Sequence, residues 1–251
     1  MHYKQTYLKQ VILRLDFGRL AVLQTDQETP FTEDMRARYS DVISNPATQL
    51  TFFLGPGGVN VGQQEASRIR VHKAPDTARS VTLAPEFLSI EYGQDSYRHF
   101  DELREQVGFV LNSFRNHFGT MQFTRLGLRY VNEITLTEGG PLDWDGIINP
   151  QLVTSVKAGL QSGLRMARSS HQLVALKGDI SLILNYGINN PDFPNPVARR
   201  QFILDLDCYI SSIIEFGEAE ERIKEVNALA EDVFENSIED GLRTKMEILQ
   251  Q

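Results

Sequence analysis

The chain has 251 residues, is 41% hydrophobic and 23% charged, and carries a formal net charge of -8 with a pI near 5.2. These totals suit one large or two small globular domains with a proper core. They argue against a whole-surface nucleic-acid binder, whose domain is usually basic, and the single cysteine, Cys208, excludes an intrachain disulfide framework and a cysteine-based zinc ribbon.

The N-terminal Met1-His-Tyr-Lys-Gln-Thr-Tyr7 lacks the apolar core of a signal peptide, and no apolar run approaches the roughly 20 residues that span a bilayer. A cytoplasmic protein, bacterial in style and without a membrane partner, is expected.

Residues 10–17 alternate, with Val11, Leu13 and Leu15 on one side and Ile12, Arg14 and Asp16 on the other, which predicts a half-buried strand. Residues 29–43 are polar and contain proline, with a short helix expected after Thr32. A second strand covers 49–54 and closes at Gly55-Pro-Gly-Gly58, a strong turn signal. Strands over 68–72 and 80–92 follow, with Pro85 marking an edge position or a bulge.

A helix is predicted over 96–118. Phe100, Leu103, Val107, Leu111, Phe114 and Phe118 recur at steps of three and four, Asp95 or Ser96 can cap the first turn, and Gly119 can end it. A long strand then covers 122–136. Residues 150–163 are open to a short helix, and 165–176 with 179–188 read as a hairpin about Lys177-Gly178. Residues 189–196, rich in proline, form a stiff loop.

Residues 201–210 alternate again, with Phe202, Leu204, Leu206 and Cys208 opposed to Ile203, Asp205, Asp207 and Tyr209. Cys208 therefore reads as a small core residue. The last segment, from about Glu218, is helical, with Ser237-Ile-Glu-Asp240 marking a break and a fresh start.

Strands in immediate succession argue against a doubly wound parallel sheet. The expected class is α+β, with two antiparallel sheet units each followed by a long helix packed on one face. The first unit covers 1–136 with its helix at 96–118 and strand at 122–136. The second covers 137–251, and the two are open to being one continuous domain.

Arg125, Arg129 and Glu133 share one face of the strand at 122–136, the arginines about 13 Å apart across Gly127. Such a pair can grip a phosphate or carboxylate by bidentate bonds. The alternative is structural pairing with carboxylates such as Glu91 or Asp205.

Asp205 and Asp207 form an Asp-x-Asp on one strand face. With Mg²⁺ such a pair holds substrate phosphates, provided a third carboxylate converges. Arg68, Arg70 and His72, followed by Lys73, make a short basic ladder suited to an anionic partner, or else a charged edge that resists aggregation. No zinc-hydrolase, phosphate-loop or nucleophile-elbow motif occurs.

The run Arg125-Leu-Gly-Leu-Arg-Tyr-Val-Asn132 resembles the Arg-x-Gly-Leu-Arg-Tyr-Ile/Val-Asn core of a sporadically distributed, functionally uncharacterised bacterial protein family. Thr82-Leu-Ala-Pro-Glu-Phe-Leu-Ser-Ile-Glu-Tyr92 ahead of the helix is similar to that family's approach. Leu204-Asp-Leu-Asp207 and the closing helix with Phe234, Ile238 and Met246 are similar to its tail. The resemblance carries no catalytic residue. It implies an accessory role in a phage-defence or toxin–antitoxin type system.

The leading expectation is a non-enzymatic binding or regulatory protein without a cofactor. Its partner would be another protein or a second copy of the chain. Two alternatives stand beside it: a Mg²⁺-dependent phosphoryl-transfer or nuclease-like enzyme using Asp205 and Asp207, and a nucleic-acid module using the ladder from Arg68 to Lys73.

Overall fold

The computed structural model describes residue 3 and residues 5–20, 29–55, 58–75, 77–157 and 164–247, with side chains described outside 46–55 and 58–68. The strands are β1 (Leu8–Phe17), β2 (Asp41–Gly55), β3 (Gly58–Lys73), β4 (Arg79–Leu83), β5 (Phe87–Gly93), β6 (Phe123–Leu136), β7 (His171–Lys177), β8 (Ile180–Ile188) and β9 (Arg200–Ile210). The helices are α1 (Pro30–Met35), α2 (Phe100–Phe118), α3 (Pro150–Lys157), α4 (Ala219–Ser237) and α5 (Asp240–Met246).

All nine strands belong to one antiparallel sheet in the order β2-β3-β4-β5-β1-β6-β9-β8-β7. The chain lays it down in two passes. β1 takes the centre, and β2 to β5 walk inward from one edge to meet it. β6 then pairs with the other side of β1, and β7 to β9 walk inward from the opposite edge. The two expected sheet units are thus one sheet, joined by the β1–β6 seam and by the pairing of β6 with β9.

Side-chain alternation assigns the two faces. Val11, Leu13, Leu15 and Phe17 of β1, Leu126 and Leu128 of β6, and Leu204, Leu206 and Cys208 of β9 enter one core. The helices cover that face. Phe114 of α2 meets Phe17 at 5.2 Å, and α4 lies along β6 and β9 with Ile223, Val226 and Ala230 buried. Burial pushes the Cys208 thiol up to about 12, as suits an inert core residue.

Several boundaries differ from the sequence reading, each for a local reason. The strand expected over 80–92 is two strands, because Pro85 sits in the connection, where its missing N–H costs no ladder bond. The helix starts at Phe100, since His99 is extended and its Nδ1 accepts from the Glu102 N–H at 3.2 Å; Asp95 and Ser96 do not cap it. β2 begins at Asp41, well before 49. The turn at 55–58 contains residues outside those described. The break at 237–240 falls as read, where Ile238 bridges to Ile148 and separates α4 from α5.

One sheet over one core should unfold in a single transition. Leu206→Ala, which opens a void beside the β6–β9 pairing, is expected to cost about 2–5 kcal/mol and to lower that whole transition. Calorimetry showing two separable transitions, only one of them shifted, would contradict a single cooperative sheet.

Candidate functional site

The face of the sheet opposite the helices is polar, and the strand registers fix its rows. Glu91, Ile12, Arg129, Asp207 and Ile183 lie side by side from β5 to β8. The next row is Ser89, Arg14, Gly127, Tyr209 and Ser181. Beyond it stand Phe87, Asp16 and Arg125. On the other side Val131, Asp205 and Asn185 complete the grid. Cross-strand neighbours sit within side-chain reach of each other, so three arginines and several carboxylates converge at the middle of the sheet.

Each arginine is tied down in a different way. Arg129 donates from Nε and Nη2 to the two oxygens of Asp205, both at 2.7 Å, and Asn185 Nδ2 adds a third bond at 3.2 Å. Asp205 is the covered partner, its side chain 9% exposed against 44% for Arg129. These bonds hold the Arg129 proton more firmly than usual. Arg125 runs along the sheet over Gly127, where an added Cβ would come within 2.7 Å of Nη1. It reaches Asp207 Oδ2 at 3.4 Å and covers the Tyr209 ring at 4.9 Å. Arg14 donates from Nε to Asp16 at 2.6 Å and lies 4.0 Å above the Phe87 ring centre.

Arg125 and Arg129 do share this face across Gly127, and of the two carboxylates suggested, Glu91 and Asp205, it is Asp205 that pairs with Arg129, while Arg125 goes to Asp207. Glu133 goes instead to Lys9 at 3.3 Å. Arg14 and Phe87 were missed as site residues. The signal for Arg14 was the alternation of β1, which put Arg14 and Asp16 on the non-core side, while Phe87 comes from β5 by register with Asp16.

The basic ladder is corrected. Arg70 and His72 pair with Leu83 and Val81, whose side chains are core, so both basic residues point toward the helices and are 3% and 0% exposed. His72 contacts the Val81 carbonyl at 3.2 Å and Thr32 Oγ1 at 3.3 Å, with the Phe31 ring edge-on at 5.8 Å. Lys73 is exposed but points to the opposite face, and the Arg68 side chain lies outside the described residues. Arg70 and His72 therefore do not belong to a solvent-facing anion strip.

Asp205 and Asp207 share a face as read, but both oxygens of Asp205 are engaged. Among the described residues no group of three or more His, Cys, Asp or Glu side chains is placed to hold a metal ion. Among those residues the third carboxylate that Mg²⁺ chemistry requires does not converge there.

A groove of about 530 Å³ runs across this face between Arg14, Phe87, Glu91, Arg125 and Arg129. Burial raises the Asp207 carboxyl above its ordinary value, against the pull of Arg125 and Arg129, and Asp205 adds to the rise. The folded chain thus holds the Asp207 proton more tightly than the unfolded chain. Ionising it costs stability as pH climbs from the ordinary value of 3.8 through the raised one.

Four outcomes follow from this arrangement. Asp207→Asn is expected to match or exceed the parent in stability at pH 7, with the gain fading toward pH 3. Asp205→Asn should be destabilised at pH 7, and thermal melts at both pH values separate the two. Arg129→Ala is expected to cost about 1–3 kcal/mol by stranding the covered Asp205 carboxylate. Arg129→Met combined with Asp205→Leu should recover most of that loss in a denaturant titration, because no unpaired charge remains.

Comparison of the chain with protein-family models, with curated proteins and with solved structures finds no match.

Proposed function

We propose that the protein is a non-enzymatic binding protein whose working surface is the uncovered face of the sheet, and that its partner is another protein. The observation that carries this reading is the groove itself. It is open and lies at the centre of a rigid sheet, floored by arginines laid flat on Phe87, on Tyr209 and over Gly127.

Stacked guanidiniums keep N–H groups for a newcomer after one carboxylate is satisfied. Arg14 and Arg129 are the accessible pair, each with a side chain 44% exposed. They offer donors for backbone carbonyls or carboxylates of a partner, and Phe87 and Ile12 offer apolar contact. This mixture of an aromatic anchor, arginine and a polar surround is the composition of protein interfaces.

The charge balance selects against nucleic acid. Asp16, Glu91, Asp205 and Asp207 stand among the arginines, and phosphate affinity depends on uncompensated basic charge. The resemblance of the Arg125–Asn132 core supplies a setting for such a module, as an accessory component of a phage-defence or toxin–antitoxin type system.

Arg14→Ala with Phe87→Ala removes the accessible arginine and its aromatic support without touching the core. Tagged parent, this variant, and the helix-side control Arg104→Ala would be purified side by side from native cells. A stoichiometric protein retained by the parent and the control but lost from the variant is expected. Retention by all three, or co-purified nucleic acid that elutes with salt, would overturn the reading.

A further inference from the structure

The helix-covered face holds a separate cavity of about 110 Å³, where the N-terminal segment, the start of α2, β6, α4 and α5 meet. For scale, an apolar protein cavity of about 150 Å³ holds a benzene. The rings of Tyr3, Tyr97, Phe100, Tyr130 and Phe234 line it, and Glu231 stands at its rim. The Tyr97 and Tyr130 rings meet at 77° with centres 5.8 Å apart, so they present walls at nearly a right angle.

Hydrogen bonding fixes what the cavity offers. Tyr130 gives its one proton to Asn227 Oδ1 at 2.6 Å. The 3.2 Å contact between the two phenols then has Tyr97 as donor. Both protons are spent inside the protein, so the Tyr97 oxygen faces a guest as an acceptor. An anion finds no donor from these two residues.

Carboxylates supply charge of the matching sign beside Tyr97. The Tyr97 phenol is pushed up to about 12, first by burial and against the bond to Tyr130, with Glu231, Glu102 and Asp101 adding to the rise. The charges acting on the Tyr97 phenol are these three carboxylates, while Arg98 at the border and Arg243 beside Tyr3 carry the opposite sign. Arg98 and His99 also border the cavity, but His99 turns its Nδ1 to the backbone of α2 as the helix cap.

We propose that this cavity binds a small alkylammonium compound, with the cation against the Tyr97 and Tyr130 rings and under the charge of Glu231. Aromatic faces attract desolvated cations, and quaternary ammonium groups are the ligands such cages suit best. The cavity admits the head group only, so any longer substituent leaves past the rim.

Calorimetric and ligand-observed NMR titrations of the full chain with choline and with 3,3-dimethylbutan-1-ol test this. The two share a shape and differ in the charge. Saturable choline binding, about tenfold or more tighter than that of the neutral alcohol, is expected. Tyr97→Leu should abolish it. Glu231→Gln, at an exposed position outside the core, should weaken it several-fold with the thermal midpoint unchanged, and it stands as the test if Tyr97→Leu fails to fold. Equal binding of both compounds, no binding of choline, or choline affinity untouched by Glu231→Gln would overturn the proposal.

Discussion

Among the described residues the helices cover only one side of the sheet, and the rest of this structure depends on that asymmetry. Every strand through the centre has to serve an apolar core on one face and solvent on the other. Period-two alternation does so without a change of backbone: Leu126, Leu128 and Tyr130 go down while Arg125, Gly127 and Arg129 stay up. A one-residue slip would exchange the two sets, so the core fixes the register and the register fixes the polar face.

Once those rows are fixed, electrostatics decides their content. Three guanidiniums on adjacent strands would repel one another if bare. Here each faces a carboxylate, Arg129 with Asp205, Arg125 with Asp207 and Arg14 with Asp16. Gly127 is part of this arrangement because Arg125 lies across it, and a side chain there would lift the guanidinium off Tyr209. The resulting surface is charged yet locally balanced. It can recognise mixed polar groups without concentrating the positive charge that a phosphate chain requires.

Much of this was legible from the sequence because it is local. The β1 and β6 alternations, the α2 stripe and the break at Ser237–Asp240 are each encoded within a dozen residues or so. What the sequence withheld depends on non-local facts. Alternation shows that Arg70 and His72 share a face, but not that α1 arrives with Phe31 and Thr32 to make that face interior. It shows two strand groups, but not that β6 crosses to pair with β1 and fuses them. The aromatic cavity is assembled from residues as far apart as Tyr3, Tyr97 and Phe234, a grouping no spacing rule would select.

The two sites are built on the same strand, back to back. Arg129 and Tyr130 are consecutive in β6, so one reaches the open groove and the other the aromatic cavity through the thickness of a single sheet. β6 is bonded on both sides, to β1 and to β9, over most of its length. Moving it to carry a signal between the faces would break two ladders. Communication by displacement of this strand is therefore costly, and occupation of one site should leave the geometry of the other unchanged. Side-chain changes at Glu231 then report on the cavity alone and changes at Arg14 on the groove alone, because each residue lines only one of the two sites.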